Sequence, residues 1–103
     1  MLDDILHSCY QELEKRRIRL TPQREAVLLA LYREREGHLT SYELFKKAKK
    51  IYPELGLATV SRTLELFLEM GLLRDVQFDK GSTKYELRDP KDSQHHHLIC
   101  KRC

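Results

Sequence analysis

The stretch Thr40-SYELFKKAKKIYPELGLATVSRTLELFLEM-Gly71 contains two helical patterns that are separated by a short turn. The first helix is predicted to begin with the capping box Thr40-Ser41-Tyr42-Glu43. In such a box the side chains of Thr40 and Glu43 each accept a hydrogen bond from the backbone N–H of the other residue. It ends at Pro53, which cannot continue a helix. The second helix is predicted over residues 58–70, with Gly71 as its terminating residue. Two helices joined by a short turn containing glycine are typical of a helix-turn-helix.

The sequence on either side of this stretch predicts two further helices and a β-hairpin. Apolar residues at helical spacing predict helices over residues 3–17 and 21–37, and the second opens with a Thr-Pro pair that suits a helix start. Downstream, residues 72–78 and 83–87 alternate as strands around a turn at residues 79–82. The predicted fold class is therefore mainly α with a β-hairpin, a winged helix-turn-helix DNA-binding domain.

The composition indicates one small globular domain. The chain has 103 residues, of which 41% are hydrophobic and 34% charged, and its net charge of +3 allows nucleic-acid binding without requiring it. No apolar stretch has the length of a membrane span, and the N-terminus lacks the apolar core of a signal peptide. We therefore expect a cytoplasmic protein with no membrane partner. In that compartment cysteines serve as metal ligands or buried thiols, and Cys9 is predicted to be a buried thiol.

The second helix of the helix-turn-helix carries polar side chains where such proteins read DNA. Arg62 can donate two hydrogen bonds to guanine, and Ser61 and Thr59 can reach bases or phosphates. Basic and polar residues around the start of the helix predicted over residues 21–37, and on the wing, are expected to contact phosphates and so fix the register on the DNA. The alternative for each of these residues is a solvated polar surface. The predicted DNA-binding set is Arg19, Thr21, Gln23, Arg24, Ala58, Thr59, Ser61, Arg62, Lys80 and Lys84.

The densest basic cluster lies elsewhere, at Lys46, Lys47, Lys49 and Lys50. We interpret it as a solvated helix face that favours solubility, with phosphate contact as the alternative.

The end of the chain contains metal-binding residue types, in the order His95-His96-His97 and then Cys100-Lys101-Arg102-Cys103. Imidazole and thiolate are ligands that zinc prefers, and a tetrahedral zinc site takes four of them. The cysteine pair supplies two, so we expect the other half of that site to be cut away or supplied by another chain. In an extended segment His95 and His97 share one face, which suits a single metal ion.

Several motifs occur in a fixed order along the chain: RLTPQR at 19–24, GLATVSRTL at 56–64, EMGLL at 69–73, KYEL at 84–87 and the terminal block 95–103. Together they resemble the ferric uptake regulator family of bacterial metal-sensing repressors. The resemblance implies that residues 1–88 form the winged-helix DNA-binding domain. Residues 89–103 would then be a hinge and the start of a truncated metal-binding and dimerisation domain.

The resemblance also implies the metal ligands. The sensing site would use His38, Glu86, His95 and His97, and such a set can hold Fe(II), Mn(II) or Zn(II). Cys100 and Cys103 match the first pair of a four-cysteine structural Zn(II) site. One residue departs from the family pattern, because Ser61 stands where members usually have a tyrosine that packs on thymine methyl groups.

The function implied is repression of metal-uptake genes, with double-stranded DNA, an AT-rich palindrome, as the partner. Metal bound across the hinge would fix the angle between the two DNA-binding domains of a homodimer, and only one angle matches the half-site spacing. The chain as given would be a monomeric fragment. Two alternatives remain: a peroxide-sensing regulator of the same family, and a winged-helix protein-interaction module with a zinc-binding tail. No catalytic constellation is present, so an enzyme is not expected.

Overall fold

A computed structural model describes residues 4–35, 37–78 and 82–90 of the chain. In chain order it contains α1 (Asp4–Lys15), α2 (Pro22–Arg33), α3 (Ser41–Ile51), α4 (Leu57–Met70), β1 (Leu73–Phe78) and β2 (Ser82–Leu87). The predicted winged helix-turn-helix is therefore confirmed. Apart from residues 89 and 90, the hinge and second unit predicted over residues 89–103 lie outside the described residues.

Two helices end earlier than the periodicity predicted. α1 stops at Lys15 because Arg17 takes a left-handed conformation with φ of 58°, and the Ile18 N–H then donates to the Leu13 carbonyl at 2.9 Å. This is the hydrogen-bond pattern that closes many helix C-termini. α2 stops at Arg33, and the Gly37 N–H donates to the Glu34 carbonyl at 3.0 Å in the turn that follows.

The helix starts follow the predicted caps. Thr21 Oγ1 accepts the Arg24 N–H at 3.2 Å before Pro22 opens α2. At α3 both halves of the capping box are formed, since Thr40 Oγ1 accepts the Glu43 N–H at 3.1 Å and the Glu43 carboxylate accepts the Thr40 N–H at 2.9 Å. Each such cap stabilises a helix by about 1 kcal/mol.

The turn between α3 and α4 is held by Lys49. Its ammonium group donates to the Pro53 carbonyl at 2.7 Å and to the Leu55 carbonyl at 3.4 Å. Leu55 is buried in the core at this point. Lys49 therefore has a structural role that the interpretation of the lysine cluster as a solvated face did not include.

One core joins all the elements. Phe67 and Leu64 of α4 belong to one buried cluster with side chains from α1, α2, α3 and the turn, and Cys9 is fully buried as predicted. The largest fully buried side chains are Phe67, Leu28, Leu31, Leu44, Leu55, Leu64, Leu72, Val27, Val60 and Cys9.

The hairpin is extended by a short segment of the loop that precedes α3. β1 and β2 pair antiparallel, from Leu73 opposite Leu87 to Phe78 opposite Ser82. On its other edge β2 forms an isolated bridge in which Leu39 and Tyr85 exchange two backbone hydrogen bonds of 3.1 and 2.7 Å. The loop is therefore fixed to the wing before α3 begins.

Burial raises the pKa of the Cys9 thiol to about 12, from an ordinary value near 9, with smaller contributions from the charges of Asp89 and Glu12. Because the folded pKa lies above the unfolded one, this contribution to stability is complete below about pH 9 and is lost as the pH rises toward 12. We expect the free energy of unfolding of the wild-type chain to fall relative to that of Cys9→Ala by about 1.4 kcal/mol per pH unit above that point. Urea titrations from neutral pH to about pH 10.5 measure this difference, and a constant difference would contradict the prediction.

Candidate DNA interface and metal site

The first half of α4 is split cleanly between core and surface. Val60 and Leu64 are buried, whereas Ala58, Ser61 and Arg62 are exposed. The exposed set Leu57, Ala58, Ser61 and Arg62 is called here the N-terminal face of α4. It belongs to the helix that enters the major groove in helix-turn-helix proteins, at the end that reaches the bases.

A groove of about 360 Å³ lies between the start of α2 and α4. The structure brings together in it five of the residues predicted to bind DNA, although they come from segments more than thirty residues apart in the chain. We call it the α2–α4 groove, and its lining residues are Thr21, Gln23, Arg24, Thr59, Arg62, Thr63 and Leu66.

Arg24 also fixes the connector that precedes α2. Its Nη1 donates to the Arg19 carbonyl at 2.6 Å, which ties the backbone of Arg19 to a residue that lines the groove. The Arg19 side chain is exposed there. A guanidinium has five N–H donors, so Arg24 retains donors for a phosphate.

Lys84, the described basic residue of the predicted wing contacts, does not line this groove. Its ammonium lies close enough to α3 to affect Glu43, whose pKa is lowered first by the hydrogen bond from the Thr40 backbone and also by the charge of Lys84. Lys84 therefore belongs to the side of the wing that faces the start of α3. Its predicted phosphate contact stays a prediction, and Lys80 lies outside the described residues.

The start of α4 has no side-chain cap. Gly56 occupies the N-cap position, and the first turn contains no acidic residue. A Cβ atom at Gly56 would meet nothing within 4 Å, so packing does not require glycine there. The result is a helix end whose N–H groups and partial positive charge are open to an anion such as a phosphate.

His38 and Glu86 meet where the loop before α3 lies beside β2 of the wing. His38 Nε2 lies 2.7 Å from Glu86 Oε1, and the two residues are 48 positions apart in the sequence. The Leu39–Tyr85 bridge explains the contact, because each residue of the pair is the direct neighbour of a bridged residue. The two side chains are 39% and 27% exposed, so the pair is open to solvent.

The donor set of this pair fits a metal ion. An imidazole nitrogen and a carboxylate oxygen are ligands shared by Fe(II), Mn(II) and Zn(II). In the parts of the chain that the structure describes, no group of three or more His, Cys, Asp or Glu side chains could hold a metal. The other predicted ligands, His95, His97, Cys100 and Cys103, lie outside those residues, so the full site stays a prediction.

The model of the ferric uptake regulator family matches residues 15–103. The chain belongs to this family. It is a family of regulators and not of enzymes, in agreement with the prediction.

Two curated relatives from Bacillus subtilis (strain 168) illustrate the range within the family. A ferric uptake regulation protein is 39% identical over 94 residues, which cover 90% of this chain and 63% of the relative. A peroxide operon regulator is 30% identical over 98 residues, which cover 95% and 64%. The chain thus spans less than two thirds of the length of these relatives.

Solved structures of the family share the fold. The ferric uptake regulator of Vibrio cholerae matches with a TM-score of 0.67 and 32% identity, over 76% of this chain and 60% of that one. The ferric uptake regulator of Pseudomonas aeruginosa with manganese matches with the same TM-score and 31% identity, over 76% and 58%.

Leu57 is the one member of the N-terminal face that the sequence did not indicate. It precedes Val60 by three residues and Leu64 by seven, a spacing that favours burial, yet it is 46% exposed. In the turn just before it, Leu55 is the apolar residue that is buried in the core, with 1% exposure.

None of the described helices could span a membrane. The longest, α4, has 14 residues, and none combines the length and apolarity needed to cross a bilayer.

The open start of α4 generates a prediction about Gly56. Gly56→Ser and Gly56→Asp each add a side-chain cap and should raise the free energy of unfolding by a few tenths of a kcal/mol, since glycine is itself a tolerated N-cap. Only the aspartate adds a negative charge where a phosphate would approach. We therefore expect Gly56→Asp to weaken DNA binding, measured by fluorescence anisotropy, more than Gly56→Ser does. Equal effects of the two variants on binding would show that no anion approaches this helix end.

Proposed function

We propose that this protein is a metal-responsive DNA-binding transcription regulator that represses metal-uptake genes in the cytoplasm. The observation that carries the proposal is the 2.7 Å contact between His38 Nε2 and Glu86 Oε1. It joins the loop that leads into the helix-turn-helix to the wing, so a metal ion held there would act on both DNA-binding elements.

In the proposed complex α4 lies in the major groove of an AT-rich palindromic operator. Arg62 would donate to guanine O6 and N7, and Ser61 and Thr59 would contact neighbouring bases or phosphates. The remaining predicted contacts fix the register through the sugar-phosphate backbone, from Arg19, Thr21, Gln23 and Arg24 at the start of α2, Ala58 at the start of α4, and Lys80 and Lys84 on the wing. The full-length protein would bind as a homodimer, one winged helix on each half-site.

The sensing metal would be held by His38 and Glu86 together with His95 and His97. When bound, it would supply a fixed positive charge that ties these ligands together. The Pseudomonas aeruginosa relative was solved with manganese, and other relatives of the family were solved with iron and with zinc. This supports Fe(II), Mn(II) or Zn(II) as the regulatory ion here. Cys100 and Cys103 would contribute to a structural Zn(II) site.

Two local contacts would couple metal binding at His38 and Glu86 to the position of α3. The Leu39–Tyr85 bridge and the Thr40–Glu43 capping box follow His38 without an intervening flexible residue. Restraining His38 against Glu86 therefore restrains the start of α3 relative to β2. By linkage, a metal that binds the restrained state better also favours DNA binding, if that state is the one that fits the operator.

A peroxide-sensing regulator is the second candidate, and the 30% identity to a peroxide operon regulator favours it. Loss of operator binding after hydrogen peroxide treatment of the iron-loaded protein would support that candidate. The protein-interaction module also stays an alternative, and it predicts no salt-dependent affinity for DNA.

The DNA-binding proposal predicts a specific effect of Arg62→Ala. Loss of a bidentate guanine contact should weaken binding to the operator by about 1–3 kcal/mol, or roughly 5- to 150-fold, and relax the preference for that base pair. Anisotropy titrations at about 50 and 200 mM salt, on the operator and on a duplex with that base pair replaced, measure both effects. Arg33→Ala is the matched control, because Arg33 is an exposed guanidinium in the last turn of α2, at the other end of that helix from the α2–α4 groove. Equal losses of DNA affinity for the two variants would show that Arg62 contributes only its positive charge.

The metal proposal predicts that Glu86→Gln and His38→Ala lose the metal response and keep basal DNA binding. We expect Mn(II) or Zn(II) affinity, measured by calorimetry, to fall at least about tenfold in each variant. Glu14→Gln, an exposed carboxylate on α1, serves as the control and should bind metal like the wild type. Retention of the full metal response by Glu86→Gln would remove this pair from the sensing site.

A further inference from the structure

Leu57 is the first residue of α4 and is 46% exposed. Among the described residues, it and Tyr42 are the large hydrophobic side chains that stand exposed. Single exposed apolar side chains are ordinary on protein surfaces, so exposure alone gives Leu57 no role. Its position at the tip of the helix proposed to enter DNA is what makes the exposure informative.

The local structure keeps Leu57 outside the core. Lys49 holds the carbonyls of Pro53 and Leu55, which fixes the path of the turn. Leu55, two residues before Leu57, is buried in the core with only 1% of its surface exposed. The side chain of Leu57 therefore remains exposed to solvent at the start of α4.

Leu57 is also part of a continuous surface. Residues four apart are neighbours on a helix, so Leu57 lies one turn before Ser61, and Ala58 lies one turn before Arg62. Helical side chains tilt toward the N-terminus, which carries Leu57 toward the tip of the helix.

Charge decides which end of α4 can approach DNA. The second half of the exposed surface carries Glu65 and Glu69, which a polyanion would repel. The first half carries Arg62, and the first turn has no acidic residue. Within α4, the end that contains Leu57 is thus the less acidic one, and the exposed Glu54 lies in the turn that precedes it.

The major-groove edge of a base pair offers one apolar group, the C5 methyl of thymine. Within the N-terminal face, Arg62 and Ser61 are polar and Ala58 reaches only one carbon beyond the backbone. Leu57 is the long apolar side chain of this face. We propose that Leu57 is a specificity-determining residue that packs on a thymine methyl group in the major groove. This inference rests on the proposed DNA-binding function.

The test uses the removal of a single methyl group from the DNA. A random duplex library is first selected with the wild-type chain, and each thymine of the enriched duplex is then replaced in turn by uracil. For one position we expect wild-type affinity to fall about fourfold, the value of one buried methyl group. Leu57→Ala should bind the thymine and uracil duplexes equally, whereas Leu57→Met, which keeps an apolar chain of similar size, should still prefer thymine.

Tyr42→Ser is the matched control, since it removes the other large exposed apolar side chain and should leave the thymine preference intact. Thermal unfolding verifies that each variant is folded. A thymine preference that survives in Leu57→Ala, or that is lost in Tyr42→Ser, would overturn the inference. The inference would also fail if the wild-type chain bound every thymine duplex and its uracil counterpart equally. It would fail as well if the main effect of Leu57→Ala were a change in self-association. Failure to enrich any duplex, with no salt-dependent binding, would instead overturn the proposed function itself.

Discussion

The two backbone hydrogen bonds between Leu39 and Tyr85, of 3.1 and 2.7 Å, determine how the two functional regions relate to each other. They attach the loop before α3 to the outer edge of β2, so that the start of the helix-turn-helix is fixed against the wing. His38 and Glu86 become neighbours only because their chain neighbours are paired in this way. Without the bridge, the loop would have no fixed register against the wing, and the two candidate ligands would have no reason to meet.

Much of the fold followed from local rules. The caps at Thr21 and Thr40 and the left-handed terminus at Gly71 act within a few residues, and each was found where its sequence pattern placed it. The alternation that predicted the hairpin is equally local. Such features are readable from a sequence because their causes lie within one turn of helix or one pair of strands.

The features that sequence reasoning missed depend on contacts with distant parts of the chain or on details of the turn. Leu57 shares the spacing of the buried residues of α4 yet is exposed, whereas Leu55 in the preceding turn is buried. The bond from Lys49 to the turn could not be separated from the surrounding lysines by composition. The meeting of His38 and Glu86 came from family resemblance, since no spacing rule connects residues 48 positions apart.

The alternation of β2 has a consequence for how this kind of protein can diverge. Tyr85 and Leu87 point to one side of the strand, where Leu87 is buried, and Lys84 and Glu86 point to the other. A point mutation at Glu86 therefore changes a candidate ligand without disturbing the core, so a lineage can explore new ion preferences while its fold stays constant. Insertion or deletion of a single residue within β2 would exchange the two sides and bury a carboxylate. The side chain at position 86 can therefore change during evolution, whereas the length of β2 cannot.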